Sequence, residues 1–173
     1  MKYPVVEEAV VLKATSNYLI RRGVLPYHFS VARGKGIDTS QTTTSLAAQF
    51  KSVGFDPHFS LAGADIEGIS ETEWWRIECK GTGAGANQTQ RNNFDRALAS
   101  VVTYFEAPPY PLGGTVFRNA KLFLGLALPA SPQYLRELKR RVRSSLRKHL
   151  NLWVLLYESV DDSVKEVSPN QDF

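Results

Sequence analysis

The sequence predicts one mixed α/β domain. Two continuous apolar runs of strand length, "KLFLGLALP" and "NLWVLLYES", read as strands buried on both faces. Two shorter runs joined by the polar connector Ser70-Glu71-Thr72-Glu73 read as a β-hairpin. Segments with helical periodicity precede, separate and follow these runs, the order of an α/β domain. With 173 residues the chain is long enough to bury a core, and residues 1–173 form a single domain. The core is expected over about residues 4–158 and a polar tail over about 160–173.

Residues 4–22 open the chain as a helix. Pro4 is tolerated in a first turn, Val5, Ala9, Leu12 and Leu19 recur at helical spacing, and Gly23 caps the end. Residues 30–45 are polar and Gly-rich and read as a loop, with a short helix in "SLAAQFKSVG". "HFSLAGADIEGI" and "WWRIECKG" form the hairpin. "ANQTQRNNFDRALASVVTYFEA" is a helix that stops before Pro108-Pro109, and residues 107–119 form a Pro/Gly-rich loop. "SPQYLRELKRRVRSSLRKHL" is one amphipathic helix, with Leu135, Leu138, Val142, Leu146 and Leu150 on its apolar face and Ser131-Pro132 at its start.

A hydrophobic fraction of 43% with 22% charged residues is ordinary for a globular protein. The net charge of +4 suits a polyanionic partner without requiring one. Cys79 is the only cysteine, which excludes an internal disulfide and favours a cytoplasmic setting. The first residues carry acids inside their apolar run, unlike an export signal, and no stretch reaches the roughly 18–20 apolar residues of a membrane span, so no membrane partner is expected. His28, His58 and His149 are scattered, which argues against zinc.

Residues 74–90, "WWRIECKGTGAGANQTQ", carry two competing signals. Gly81, Gly83 and Gly85-Ala86 fit a dinucleotide-binding loop. That loop needs an apolar parallel strand before it and an acid roughly 20 residues on at the end of a second strand. "RIECKG" alternates charge, and Glu106 falls at a helix end. The glycines therefore read as room for a strand-to-helix turn. The other signal is Glu78-Cys79-Lys80. On a strand Glu78 and Lys80 share a face and Cys79 points the other way. Asp65, thirteen residues upstream at the start of the partner strand, can sit beside Glu78 across the hairpin. Two acids and an adjacent lysine suit phosphodiester hydrolysis, which needs a hard cation on oxygen ligands, an activated water and charge neutralisation at the phosphate.

Gly63-Ala64-Asp65-Ile66-Glu67-Gly68 followed by Trp75-Arg76-Ile77-Glu78-Cys79-Lys80-Gly81 resembles the paired signature of the PD-(D/E)XK nuclease superfamily. Ala64 replaces the proline of its first element. The resemblance implies a restriction-endonuclease-like αβββαβ core, a mixed central sheet flanked by helices, here with an extra C-terminal helix and strand. It implies a Mg2+-dependent endonuclease acting on DNA, with Mn2+ as a substitute; the residues themselves do not favour DNA over RNA. Asp65, Glu78 and Lys80 would be catalytic. Asp65, Glu78 and the carbonyl of Cys79 would hold the metal, joined by an acid of the first helix, Glu8 in preference to Glu7. Gln88 or Gln90 would supply the glutamine some members carry, and Gln90 is taken as a nucleic-acid contact. The basic face of the later helix (Arg136, Lys139, Arg140, Arg143, Arg147, Lys148) would meet phosphates, with Arg140, Arg143 and Arg147 foremost, and Arg33 and Lys35 could add to it. Glu67 shares the face of Asp65 and is either a third ligand or, by preference, a surface residue; Trp75 is expected in the core and Trp74 on the site's face. A homodimer or a protein partner would supply specificity. The alternative is a catalytically inactive module of the same fold that binds nucleic acid or a protein.

Overall fold

The structure is a computed structural model describing residues 3–31, 39–52, 54–83, 87–105 and 120–173. Its elements are α1 (Glu8–Arg21), β1 (Leu25–Ser30), α2 (Thr39–Lys51), β2 (His58–Ser60), β3 (Ile66–Ile69), β4 (Glu73–Cys79), α3 (Asn87–Thr103), β5 (Lys121–Pro129), α4 (Pro132–Arg141), α5 (Ser144–Leu150), β6 (Leu152–Glu158) and β7 (Ser163–Val167). The strands form one mixed sheet in the order β2-β1-β3-β4-β5-β6-β7. β1, β3 and β4 are successive antiparallel neighbours, β4, β5 and β6 run parallel, and β7 returns antiparallel to β6.

Strand alternation sends side chains to two cores. Trp75, Ile77 and Cys79 of β4 pack with Phe29, Ile66, Leu12 and Leu19 under α1, and Leu46 and Phe50 of α2 join them. Leu124, Leu126 and Leu128 of β5 pack with Phe94, Ala97 and Val101 of α3 and with Tyr134 and Leu138 of α4 on the other face. The two apolar runs are the interior strands β5 and β6, as their composition predicts. Trp75 is fully buried, stacked on Phe123 with ring centroids 5.0 Å apart.

Several boundaries differ from the sequence reading, each for a physical reason. The first helix begins at Glu8, because Val6 is held extended: its amide donates to Thr82 Oγ1 at 2.9 Å and its carbonyl accepts from Thr82 N at 2.9 Å. Gly23 does end it, at φ +80°. The presumed single strand at 58–69 is two, β2 and β3, lying on opposite sides of β1. α2 starts well before "SLAAQFKSVG", inside the stretch read as loop; Phe50 anchors it on Phe29 at 5.3 Å. The single late helix is two, α4 and α5, broken at Val142–Arg143, where the backbone leaves helical geometry. The expected polar tail contains the edge strand β7, held to the domain by Arg147. Arg33, Lys35 and Glu106, the Ala84–Ala86 part of the glycine loop, and the loop at 107–119 lie outside the described residues. Among the described residues no helix is long and apolar enough to cross a membrane.

Candidate functional site

The β3–β4 ladder pairs Ile66 with Ile77. This register sets Asp65, one residue before β3, beside the end of β4, where its Oδ2 accepts the Cys79 amide at 2.7 Å. Asp65 and Glu78 are 8% and 6% exposed, so the charged face of β4 is not a solvated strand edge. Burying carboxylates is costly unless they are paired. The partner is Lys80, whose Nζ lies 2.8 Å from Glu78 Oε1, 3.6 Å from Asp65 Oδ2 and 3.5 Å from Glu8 Oε2, and donates to the Cys79 carbonyl at 2.7 Å. Three acids and one carbonyl thus surround a single ammonium.

Glu8 reaches this point because α1 is docked onto the segment after β4 through the Val6–Thr82 pair. Glu7 faces solvent. Gly81 makes the docking possible. A Cβ there would stand 2.5 Å from the Val6 carbonyl oxygen and 2.6 Å from the Glu8 amide. Both are backbone atoms that cannot yield without lifting the helix. Gly81→Ala is therefore expected to cost about 1–3 kcal/mol, a fall of roughly 3–10 °C in melting temperature. A calorimetric melt measures it, and an unchanged melt would show that the close approach is not needed.

Burial raises the Asp65 carboxyl, Lys80 opposes this and Glu78 and Glu8 add to it, leaving it pushed up to about 8. Burial raises Glu8 too, with Lys80 pulling it down. Burial works against the Lys80 ammonium, but Asp65, Glu78 and Glu8 together outweigh it and hold it charged well above an ordinary lysine. Lys80 is accordingly a cation and a donor, not a base. The Cys79 thiol points away into the α1-side core, and burial pushes it up; only its carbonyl faces the centre.

Among the described residues, no three His, Cys, Asp or Glu side chains are already gathered around a metal position. Glu8, Asp65 and Glu78 instead meet the Lys80 ammonium. Even so, the donors present are all oxygens (three carboxylates and a main-chain carbonyl), the chemistry a hard divalent cation prefers. This donor set matches the ligand chemistry of Mg2+ or Mn2+, with the Lys80 head group lying among the oxygens.

Tyr104, just past α3, completes the centre: its hydroxyl donates to Glu78 Oε2. Burial and Glu78 hold its phenol far above the ordinary value, so it stays a donor. Sequence reading missed it, since its spacing from Phe94, Ala97 and Val101 marks it only as part of an apolar helix face.

No family model, curated protein or solved structure matches this chain.

The remaining expected site residues divide. Gln90 accepts the Ser131 hydroxyl at 2.9 Å, which ties the start of α3 to the cap of α4; Gln88 is exposed and bonds Asn92. Arg143 is exposed. Arg140 is exposed but ion-paired to Glu137 at 2.9 Å, an acid that is itself buried and also draws Arg91 and Arg141. Arg147 is not available to phosphates, contrary to expectation. It is 1% exposed, donates to the carbonyls of Ser168 and Gln171, and lies over the Phe173 ring. Breaking the helix before Ser144 turns this residue inward, where carbonyls accept from its Nη1 and Nη2. Glu67 is fully buried rather than at the surface, because Arg76 and the Tyr27 hydroxyl pair with it. Trp74 stacks at 5.1 Å on the Arg76 guanidinium.

Proposed function

We propose that this chain is a Mg2+- or Mn2+-dependent endonuclease-like enzyme that hydrolyses phosphodiester bonds of DNA. The observation that carries the reading is the convergence of Glu8, Asp65, Glu78 and the Cys79 carbonyl on one point, occupied by Lys80 Nζ. The succession α1, β1, β3, β4, α3, β5, with α2 and β2 inserted between β1 and β3 and with β4 and β5 parallel, supports it, because without that insertion it follows the αβββαβ order of the family the motif resembles. The preference for DNA rests on that resemblance alone. A bound divalent cation would supply an activated water and neutralise charge on the phosphoryl oxygen. Asp65, Glu78, Glu8 and the Cys79 carbonyl would hold it. Lys80, displaced from the acids but close by, would place its ammonium against the developing negative charge of the phosphate. Arg143, Arg140 and Gln90 would contact the nucleic acid. A second copy or a protein partner would add specificity.

The test is nicking of supercoiled plasmid and of a branched DNA, with Mn2+ or Mg2+ against EDTA, for wild type and Lys80→Ala. Metal-dependent cutting that drops by a factor of about 10² or more in the variant is the expected result. Cutting that survives the change places the activity elsewhere. If neither cutting nor stabilisation by metal is found, the chain is a binding module in which Lys80 permanently neutralises the acids.

A further inference from the structure

The two oxygens of Glu78 have different partners. Oε1 faces the Lys80 ammonium at 2.8 Å, and Oε2 accepts the Tyr104 hydroxyl, with the Gly63 carbonyl 3.3 Å from that hydroxyl as the weaker acceptor. A carboxylate's terminal torsion is broad, so a strand alone does not decide which oxygen points where. A donor fixed on one oxygen does.

Tyr104 is such a donor, because its own backbone is held. Its amide donates to the Val101 carbonyl at 3.1 Å, and its carbonyl accepts Arg76 Nη1 at 3.0 Å. Arg76 is fixed in turn. It donates from Nε and Nη2 to Glu67 Oε1 at 3.2 and 2.9 Å, and its guanidinium lies 5.1 Å from the Trp74 ring. Glu67 also accepts the Tyr27 hydroxyl at 2.7 Å. A buried line therefore runs from β1 to the centre through Tyr27, Glu67, Arg76, Tyr104 and Glu78.

We infer that Tyr104 is a positioning residue whose hydroxyl aims Glu78 Oε1 at the cation seat. The inference rests on the metal-dependent reading of the site. It assigns the α3 end a role in metal affinity, comparable to other outer-shell donors to ligating carboxylates.

The experiment is titration of Mn2+ into metal-free wild type and Tyr104→Phe by calorimetry, with melting in EDTA and plasmid-nicking kinetics beside it. Phenylalanine keeps the ring in its core position. The expected result is Mn2+ affinity weaker by about 10- to 100-fold and a lower kcat. KM for DNA should stay within about twofold, and the metal-free variant should stay folded, with a melt lower by about 2–10 °C. A folded variant with wild-type Mn2+ affinity overturns the inference and leaves the metal reading standing. Loss of the fold also overturns it, since the hydroxyl would then serve the core and not the centre. Absence of Mn2+ binding by wild type sinks the metal reading and this inference with it.

Discussion

Asp65→Asn is expected to stabilise the metal-free protein, by on the order of 5 °C at alkaline pH, while abolishing cutting and stabilisation by Mn2+. In the fold, burial pushes the carboxyl up to about 8 from an ordinary 3.8. The unfolded chain releases that proton near the ordinary value. Between the two values the folded chain holds a proton the unfolded chain has lost, so wild-type stability falls as pH rises through this window and the loss is complete above it. Asparagine has no charge to desolvate, and its side-chain oxygen still accepts the Cys79 amide. Melts in EDTA from pH 5 to pH 9 should show the gap between variant and wild type opening as pH rises. A gap of constant size, or one that favours wild type at high pH, would mean that Asp65 is not ionising against its surroundings. Under the proposed function, Asp65 would trade stability for activity.

The second large effect is expected far from solvent. Glu67→Ala should lower stability by about 3–5 kcal/mol, roughly 6–20 °C in melting temperature. Glu67 and Arg76 are 0% and 3% exposed, and the change removes the carboxylate that accepts from two nitrogens of the buried guanidinium. Chemical denaturation measures the loss. A cost below about 1 kcal/mol would show that water or the Tyr104 carbonyl compensates. Paired removal of both charges in favour of apolar groups should cost much less than either single change.

The parts of the molecule legible in the sequence were those governed by a strong local period. The alternation of Trp75, Arg76, Ile77, Glu78 and Cys79 correctly separates two faces, and the register Ile66–Ile77 follows from a hairpin turning at Ser70–Glu73. The continuous runs at β5 and β6 were equally plain. What escaped depends on partners distant in the chain. β7 reads as a polar tail because "SVKEV" is short and centres on two adjacent charges; its pairing with β6 makes it a strand. β1, "LPYHFS", is six residues with a proline and lies between two elements it does not resemble. Glu67 and Arg147 carry full charges, and charge argues for solvent unless the counter-groups are known. Those are Arg76 and Tyr27 in one case and the carbonyls of Ser168 and Gln171 in the other. The triad Asp65, Glu78, Lys80 could be proposed from spacing; Tyr104, which joins it through a phenol on an apolar helix face, could not.

The centre is stitched together over two very different lengths of chain. The contact from Asp65 to the Cys79 amide spans 14 residues, whereas the Val6–Thr82 clasp that delivers Glu8 spans 76. Closing the longer loop costs about 1.5 kcal/mol more in chain entropy. A hairpin forms within microseconds, long before pairings of high sequence separation are in place. During synthesis Glu8 emerges before the hairpin residues, yet the clasp that seats it can close only after Thr82 has emerged.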